Sequence, residues 1–166
     1  MTRLAPLILL LSACATPSGP PPKASALFFI KTDCPIANSF APEISRIIAE
    51  YDPAGVQFLV VYTDLTQSGD AIRSHAAEYG YKCPVQVDKG RVLSRQYGVT
   101  VTPEAVVLGA DGARVYRGRI DDRYLAPGKY RLQPTTRELR DALEAVLAGR
   151  PVAVAETKPA GCPLTD

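Results

Sequence analysis

Four cysteines carry most of the chemistry that this 166-residue sequence could perform: Cys14, Cys34, Cys83 and Cys162. Cys34 stands in Thr32-Asp33-Cys34-Pro35, between an apolar run and the start of a helical pattern. Pro35 suits the first helical position, where its missing N–H costs nothing and its fixed φ is already helical. A thiol just before it faces the unpaired N–H groups of the first turn, whose partial positive charge favours thiolate over thiol. Cys34 is therefore the candidate nucleophile, with Asp33 opposing that charge balance and Lys31 partly offsetting it. Cys162 lies in an aperiodic tail, Gly161-Cys162-Pro163-Leu164, which has no core to fill. It reads as a resolving thiol folded back to Cys34 or to Cys83, since closing a long loop costs little more than closing a short one. Cys83, before Pro84, reads either as a packed apolar residue or as a further redox thiol. His75 is the single histidine and stands at the edge of a helix face. Together with the thiols it offers a soft S/N donor set for copper or zinc, yet no close cysteine–histidine spacing supports such a site, and no resident metal or cofactor is assigned.

The elements that must position these thiols follow from periodicity. Ala26 to Lys31 is a near-continuous apolar run, as in a strand buried on both faces. Ile44, Ile47, Ile48 and Tyr51 recur on one helical face, with Pro42 expected to bend that helix. Val56 to Tyr62 is a second buried strand, so strand–helix–strand predicts a parallel crossover. A helix introduced by Gly69-Asp70 and closed by Gly80, a short strand over 84–88 and a helical piece ending at Gly98 follow. Glu104 to Leu108 and Ala113 to Gly118 flank Asp111-Gly112, a hairpin signal. Residues 120–134, with the charged Arg117-to-Arg123 stretch leading in, read as a solvated loop. Thr135-x-x-Glu138 has the form of a capping box for a last helix carrying Leu139, Ala142, Leu143 and Val146. The result is an α/β chain with a mixed central sheet between helical layers, a three-layer α/β/α arrangement.

Composition narrows the function classes. With 46% hydrophobic and 22% charged residues the chain suits one globular domain, and a formal charge of +2 without a basic, aromatic-bearing cluster gives nucleic acid no footing. Residues 1–13 combine Arg3 with a short apolar stretch before Leu11-Ser12-Ala13-Cys14. That stretch is too short to span a bilayer, and it resembles a bacterial lipoprotein signal whose cysteine becomes lipidated. The resemblance implies a lipid anchor at Cys14, a proline-rich tether over 14–25, a folded domain over 26–149 and a C-terminal tail over 150–166. It also implies an exported protein in the cell envelope facing the periplasm, with Ala15 pointing to the outer membrane, where thiols are paired or reactive.

The folded part resembles the thioredoxin fold, and most of all its redoxin branch of thioredoxin-like and AhpC/TSA-like proteins. The resemblance rests on Phe28-Phe29-Ile30 before Cys34, on Ala41-Pro42, on Val101-Thr102-Pro103 before a strand, and on the Asp111-Gly112 hairpin with Tyr116-Arg117-Gly118. It implies that Pro103 is cis beside the reactive thiol and that Thr102 pairs with an incoming peptide, so Thr102, Pro103 and Pro35 are the expected substrate-binding residues. Departures are equally specific. The place of a thioredoxin's second cysteine is Ala37, that of a copper chaperone's is Asn38, and the threonine and proline that precede a peroxidatic cysteine are Lys31 and Leu27. The leading expectation is a membrane-anchored thiol–disulfide oxidoreductase using Cys34 with Cys162 or Cys83, acting on protein thiols or disulfides. A peroxiredoxin-like peroxide reductase and a non-catalytic copper-binding assembly module are the alternatives.

Overall fold

The computed structural model describes residues 21–164; Cys14, the expected export signal and the first residues of the expected tether lie outside the described residues. β1 (Ala24–Ile30) is buried at every position but Ser25. It begins two residues before the expected start, because Ala24 is itself buried and already pairs with Val56 and Gly109. α1 (Pro35–Tyr51) buries Phe40, Ile44, Ile47, Ile48 and Tyr51, and it continues through Pro42. β2 (Val56–Tyr62) lies parallel to β1 from Ala24↔Val56 to Ile30↔Tyr62. An antiparallel partner could be reached by a tight turn, but a parallel one needs a crossover, and α1 supplies it.

α2 (Gly69–Glu78) starts where the Ser68 hydroxyl accepts the Ala71 N–H, and β3 (Val85–Val87) then extends the sheet parallel to β2. α3 (Val92–Tyr97) ends on Gly98, whose φ of 71° only glycine adopts without strain. A two-residue strand, β4 (Val101–Thr102), precedes a cis Thr102–Pro103 bond. β5 (Glu104–Gly109) returns antiparallel to β1 and turns through Asp111-Gly112 into β6 (Arg114–Gly118). The sheet order is β3-β2-β1-β5-β6, a mixed sheet.

The stretch after β6 is not the solvated loop that its charges predict. It forms a small hairpin, β7 (Tyr124–Ala126) with β8 (Lys129–Tyr130), and Asp121 and Asp122 are both buried. Buried carboxylates persist only when hydrogen-bonded or paired. Asp121 accepts the Arg123 N–H at 2.8 Å and pairs with its guanidinium. Asp122 accepts the Thr135 and Thr136 N–H groups at 2.6 and 3.0 Å and pairs with Arg131. The expected capping box fails for the same reason. Asp122 takes the Thr135 hydroxyl, so α4 (Glu138–Leu147) begins at Arg137 without a side-chain cap. Glu138 instead receives Arg119 and the Thr136 hydroxyl.

One sheet face packs α1 and α4, with α2 adding Ile72 and Ala76. The opposite face gathers Leu27, Phe29, Val61 and Val106 under Leu93 and Tyr97 of α3. After α4 the chain returns along the β6 edge, where Glu156 bridges Arg117, and enters β9 (Cys162–Pro163), antiparallel to β4.

The approach to β4 hangs on Asp88, which is 1% exposed. Its carboxylate accepts the Leu93 and Ser94 N–H groups, both at 2.8 Å, and the Ser94 hydroxyl at 2.6 Å. Asp88→Ala orphans these donors, and chemical denaturation should show a loss of about 1–3 kcal/mol. An unchanged midpoint would mean that α3 does not depend on this carboxylate.

Candidate active site

Cys34 occupies the N-cap of α1, with φ −90° and ψ 107°, and Pro35 follows as the first helical residue. Its sulfur accepts the Ala37 N–H at 3.4 Å and donates to the Thr102 carbonyl at 3.1 Å. Two segments 68 residues apart in sequence therefore meet at one sulfur. Cys34 is fully buried. Asp33 faces solvent, and Lys31 pairs with it at 3.1 Å, which reduces its repulsion of a sulfur anion.

The turn carrying Cys34 is tied down from below. Asp64 at the end of β2 is buried and accepts the Thr32 N–H at 3.2 Å and the Thr32 hydroxyl at 2.6 Å. Asn38, one turn after Cys34, donates through its side chain to the Thr32 carbonyl at 2.9 Å. That use of the amide leaves Asn38 Oδ1 facing His75 Nε2 at 3.2 Å, so Nε2 carries the proton. His75 Nδ1, in turn, accepts the Tyr62 hydroxyl at 2.9 Å. His75 is thus a positioning residue beneath the turn, stacked on Tyr79.

The edge expected to receive a peptide is covered by the chain's own tail. Thr102 pairs with Cys162 and Val101 with Pro163, and Leu164 N–H donates to the Thr100 carbonyl at 3.0 Å. Cys162 is thereby held beside Thr102, the residue whose carbonyl accepts the Cys34 thiol. Burial, and then the neighbouring Cys34, push the Cys162 thiol well above the usual range, so Cys162 holds its proton.

Residues that the sequence did not single out for this purpose aim the tail. Beside β6, Arg117 N–H donates to the Ala155 carbonyl and Thr157 N–H to the Arg117 carbonyl, both at 3.0 Å. The Thr157 hydroxyl meets the Tyr116 hydroxyl at 2.8 Å and accepts the Arg119 N–H at 3.0 Å. A Cβ on Gly118 would lie 2.1 Å from the Thr157 hydroxyl. A glycine at a strand end can mark such a close approach, and that was the available signal. The Arg117 guanidinium reaches the Gly98 carbonyl, Glu156 and the buried Glu104, the last at 3.5 Å. Glu104 also accepts the Thr100 N–H at 3.0 Å. One arginine thereby ties β6, the tail and the segment entering β4 together.

Cys83 is elsewhere. It precedes Pro84, whose carbonyl accepts the Val60 N–H midway along β2, and it lines a cavity of about 490 Å³ with Leu27, Leu59 and Leu108. Its thiol is pushed up to about 11, mainly by burial. The structure brings Cys34, Cys162, Thr102, Pro103 and Pro35 to one place and leaves Cys83 outside it. Among the described residues no three His, Cys, Asp or Glu side chains cluster as a metal site requires.

A thiol at a helix N-terminus, beside the cis-proline strand of a mixed five-stranded sheet, defines a thioredoxin-like protein. The chain belongs to the AhpC/TSA family, which it matches over residues 18–117. That span includes Cys34, Thr102-Pro103 and Arg117 and ends before the tail that carries Cys162. The chain is similar to the thiol-disulfide oxidoreductase ResA of Bacillus anthracis, 29% identical over 90 residues that make up 54% of this chain and 51% of that protein. It spans about half the length of the curated relatives it matches. An uncharacterized conserved protein from Geobacillus kaustophilus superposes at a TM-score of 0.76 with 30% identity, over 87% of this chain and 77% of that one. A secreted Mycobacterium tuberculosis disulfide oxidoreductase homologous to E. coli DsbE shares the fold at a TM-score of 0.51 and 24% identity, over 76% and 81% of the two chains.

Burial, partly offset by the charges of Asp64 and Glu78, holds His75 below its ordinary value of 6.5. The unfolded chain then takes up that proton first, so the stability carried by neutral His75 is present above about pH 6.5 and is lost as pH falls below it. The thermal midpoint of the wild type should fall more steeply than that of His75→Gln between about pH 7 and pH 5. Parallel slopes would show that His75 is not held neutral by the fold.

Proposed function

We propose that the protein is a thiol–disulfide oxidoreductase whose redox pair is Cys34 and Cys162. The observation that carries this reading is that both cysteines meet at Thr102, whose carbonyl accepts the Cys34 thiol at the helix N-terminus and whose backbone pairs with the Cys162 strand.

The chemistry is two successive exchanges. Cys34, as thiolate, attacks one sulfur of a partner's disulfide. That S–S bond breaks, the other partner sulfur leaves as a thiolate and takes a proton, and a mixed disulfide forms. Cys162 then loses its proton and attacks the Cys34 sulfur. The second partner thiol is released, and the chain is left with a Cys34–Cys162 disulfide, two electrons having passed to the partner. A dithiol reductant returns the pair to its starting state. Burial, and then the neighbouring Cys34, help keep Cys162 protonated, and the second contribution vanishes once Cys34 is in the mixed disulfide. Cys162 thus becomes a better nucleophile when resolution is due.

Thr102 and Pro103, with Pro35 beside the sulfur, form the surface on which a partner's backbone is held during the first exchange. Residues 26–149 make up the catalytic body and 150–166 the resolving arm. The Arg3-to-Cys14 pattern supports lipidation at Cys14, a tether over 14–25 and a periplasm-facing place in the envelope, an oxidising setting in which a poised dithiol has disulfides to act on.

Incubated with insulin under a thiol reductant, the wild type should reduce its disulfides. Cys162→Ser should accumulate a covalent adduct at Cys34, Cys34→Ser should be inactive, and Cys83→Ala should match the wild type. Undiminished insulin reduction by Cys34→Ser, or peroxide consumption with insulin left intact, would overturn this reading.

A further inference from the structure

Residues 161–164 occupy the β4 edge in the way that a partner's chain would have to. The register is Thr102↔Cys162 and Val101↔Pro163, continued by the Leu164 bond to Thr100. Bonded and non-bonded pairs alternate in an antiparallel ladder, so that bond places Pro163 at a non-bonded position, where a missing N–H costs nothing. Gly161 lies hard against the peptide bond before Pro103. A Cβ there would sit 2.1 Å from the Thr102 carbonyl oxygen, 2.7 Å from its carbon and 3.3 Å from Pro103 N. These are backbone atoms, which cannot swing aside as a side-chain tip would, so any larger residue forces the strand off the edge. Leu164 packs against the cluster of Leu27, Phe29, Val61, Val99 and Val106. With this strand in place Cys34 has no exposed surface.

Resting on the reading of Cys34 as nucleophile, we propose that the β4 edge selects partners that resemble the tail, Gly161-Cys162-Pro163-Leu164 being the resident copy of the segment it takes. The preferred partner segment is an extended peptide with glycine directly before its reactive cysteine and an apolar residue two positions after it. Partner and tail are mutually exclusive on the edge. The tail must leave for Cys34 to be attacked or to attack, and it must displace the partner strand to bring Cys162 back for resolution. Gly161 is the positioning residue for that return.

The test uses two peptides, Ala-Gly-Cys-Pro-Leu and Ala-Ala-Cys-Pro-Leu, each with its cysteine in a disulfide with thionitrobenzoate. The Cys34 thiolate attacks the peptide sulfur, the peptide becomes disulfide-linked to Cys34, and coloured thionitrobenzoate is released. Reaction rates are measured on the full chain carrying Cys162→Ser and on the chain carrying Gly161→Val with Cys162→Ser, with the attachment site mapped to Cys34. The glycine peptide should react about tenfold faster than the alanine peptide, and Gly161→Val should speed both by about tenfold by displacing the tail. Equal rates for the two peptides, or no acceleration by Gly161→Val in a folded chain, overturn the proposal while leaving Cys34 as nucleophile. Attachment of neither peptide to Cys34, with the thiol also inert to the small disulfide of thionitrobenzoate itself, overturns the nucleophile reading with it. Should Gly161→Val fail to fold, the ratio of the two peptides on Cys162→Ser alone decides.

Discussion

The pairing of Thr102 with Cys162 is the interaction on which the rest of the site depends. Thr102 offers its carbonyl to the Cys34 sulfur and its backbone to the tail, so one residue sets the relation of nucleophile and arm. Two-residue strands have little stability of their own. This one persists because it is bolted at both ends. Arg117 joins Gly98, Glu104 and Glu156 on one side, and Leu164 enters the apolar cluster on the other.

A thioredoxin keeps both thiols within one helical turn, and here the second position is Ala37, which is buried without any reactive group. In the proposed redox pair the second sulfur comes from Cys162, far along the chain and carried by a strand rather than a helix. Moving the thiol to a separate strand alters the chemistry. In one rigid turn the two sulfurs stay together through the whole cycle. On a strand that competes for the substrate edge, as proposed for the tail, resolution is tied to the exchange of one backbone for another. The Asp64, Thr32, Asn38 and His75 chain keeps the Cys34 turn fixed while that exchange proceeds. In the proposed cycle the nucleophile is the still part of the site and the resolving thiol the moving part.

How much of this was legible in the sequence depended on the range of the interaction involved. β1, α1 and β2 are local periodic signals, and the Cys34-Pro35 junction announces itself because proline at the first helical position has a local cause. Gly98 and Asp111-Gly112 likewise mark a helix end and a hairpin through conformations that only certain residues accept easily. The failures were non-local. Thr135-x-x-Glu138 has the form of a cap, but Asp122, thirteen residues earlier, outcompetes the helix for Thr135. The charges at Asp121 and Asp122 suggested solvent, because a sequence shows a carboxylate and not the backbone donors that make its burial tolerable. β4 and β9, at two residues each, are too short to carry a period, so the site's central pairing could be suspected only from a cysteine left over in an aperiodic tail.

The most direct test of the Cys34–Cys162 pair is to map the disulfides of the full chain by mass spectrometry after mild oxidation. A Cys34–Cys162 bond with Cys83 as a free thiol is the predicted result. A Cys34–Cys83 bond, or Cys34 and Cys162 both left free after oxidation, would contradict it.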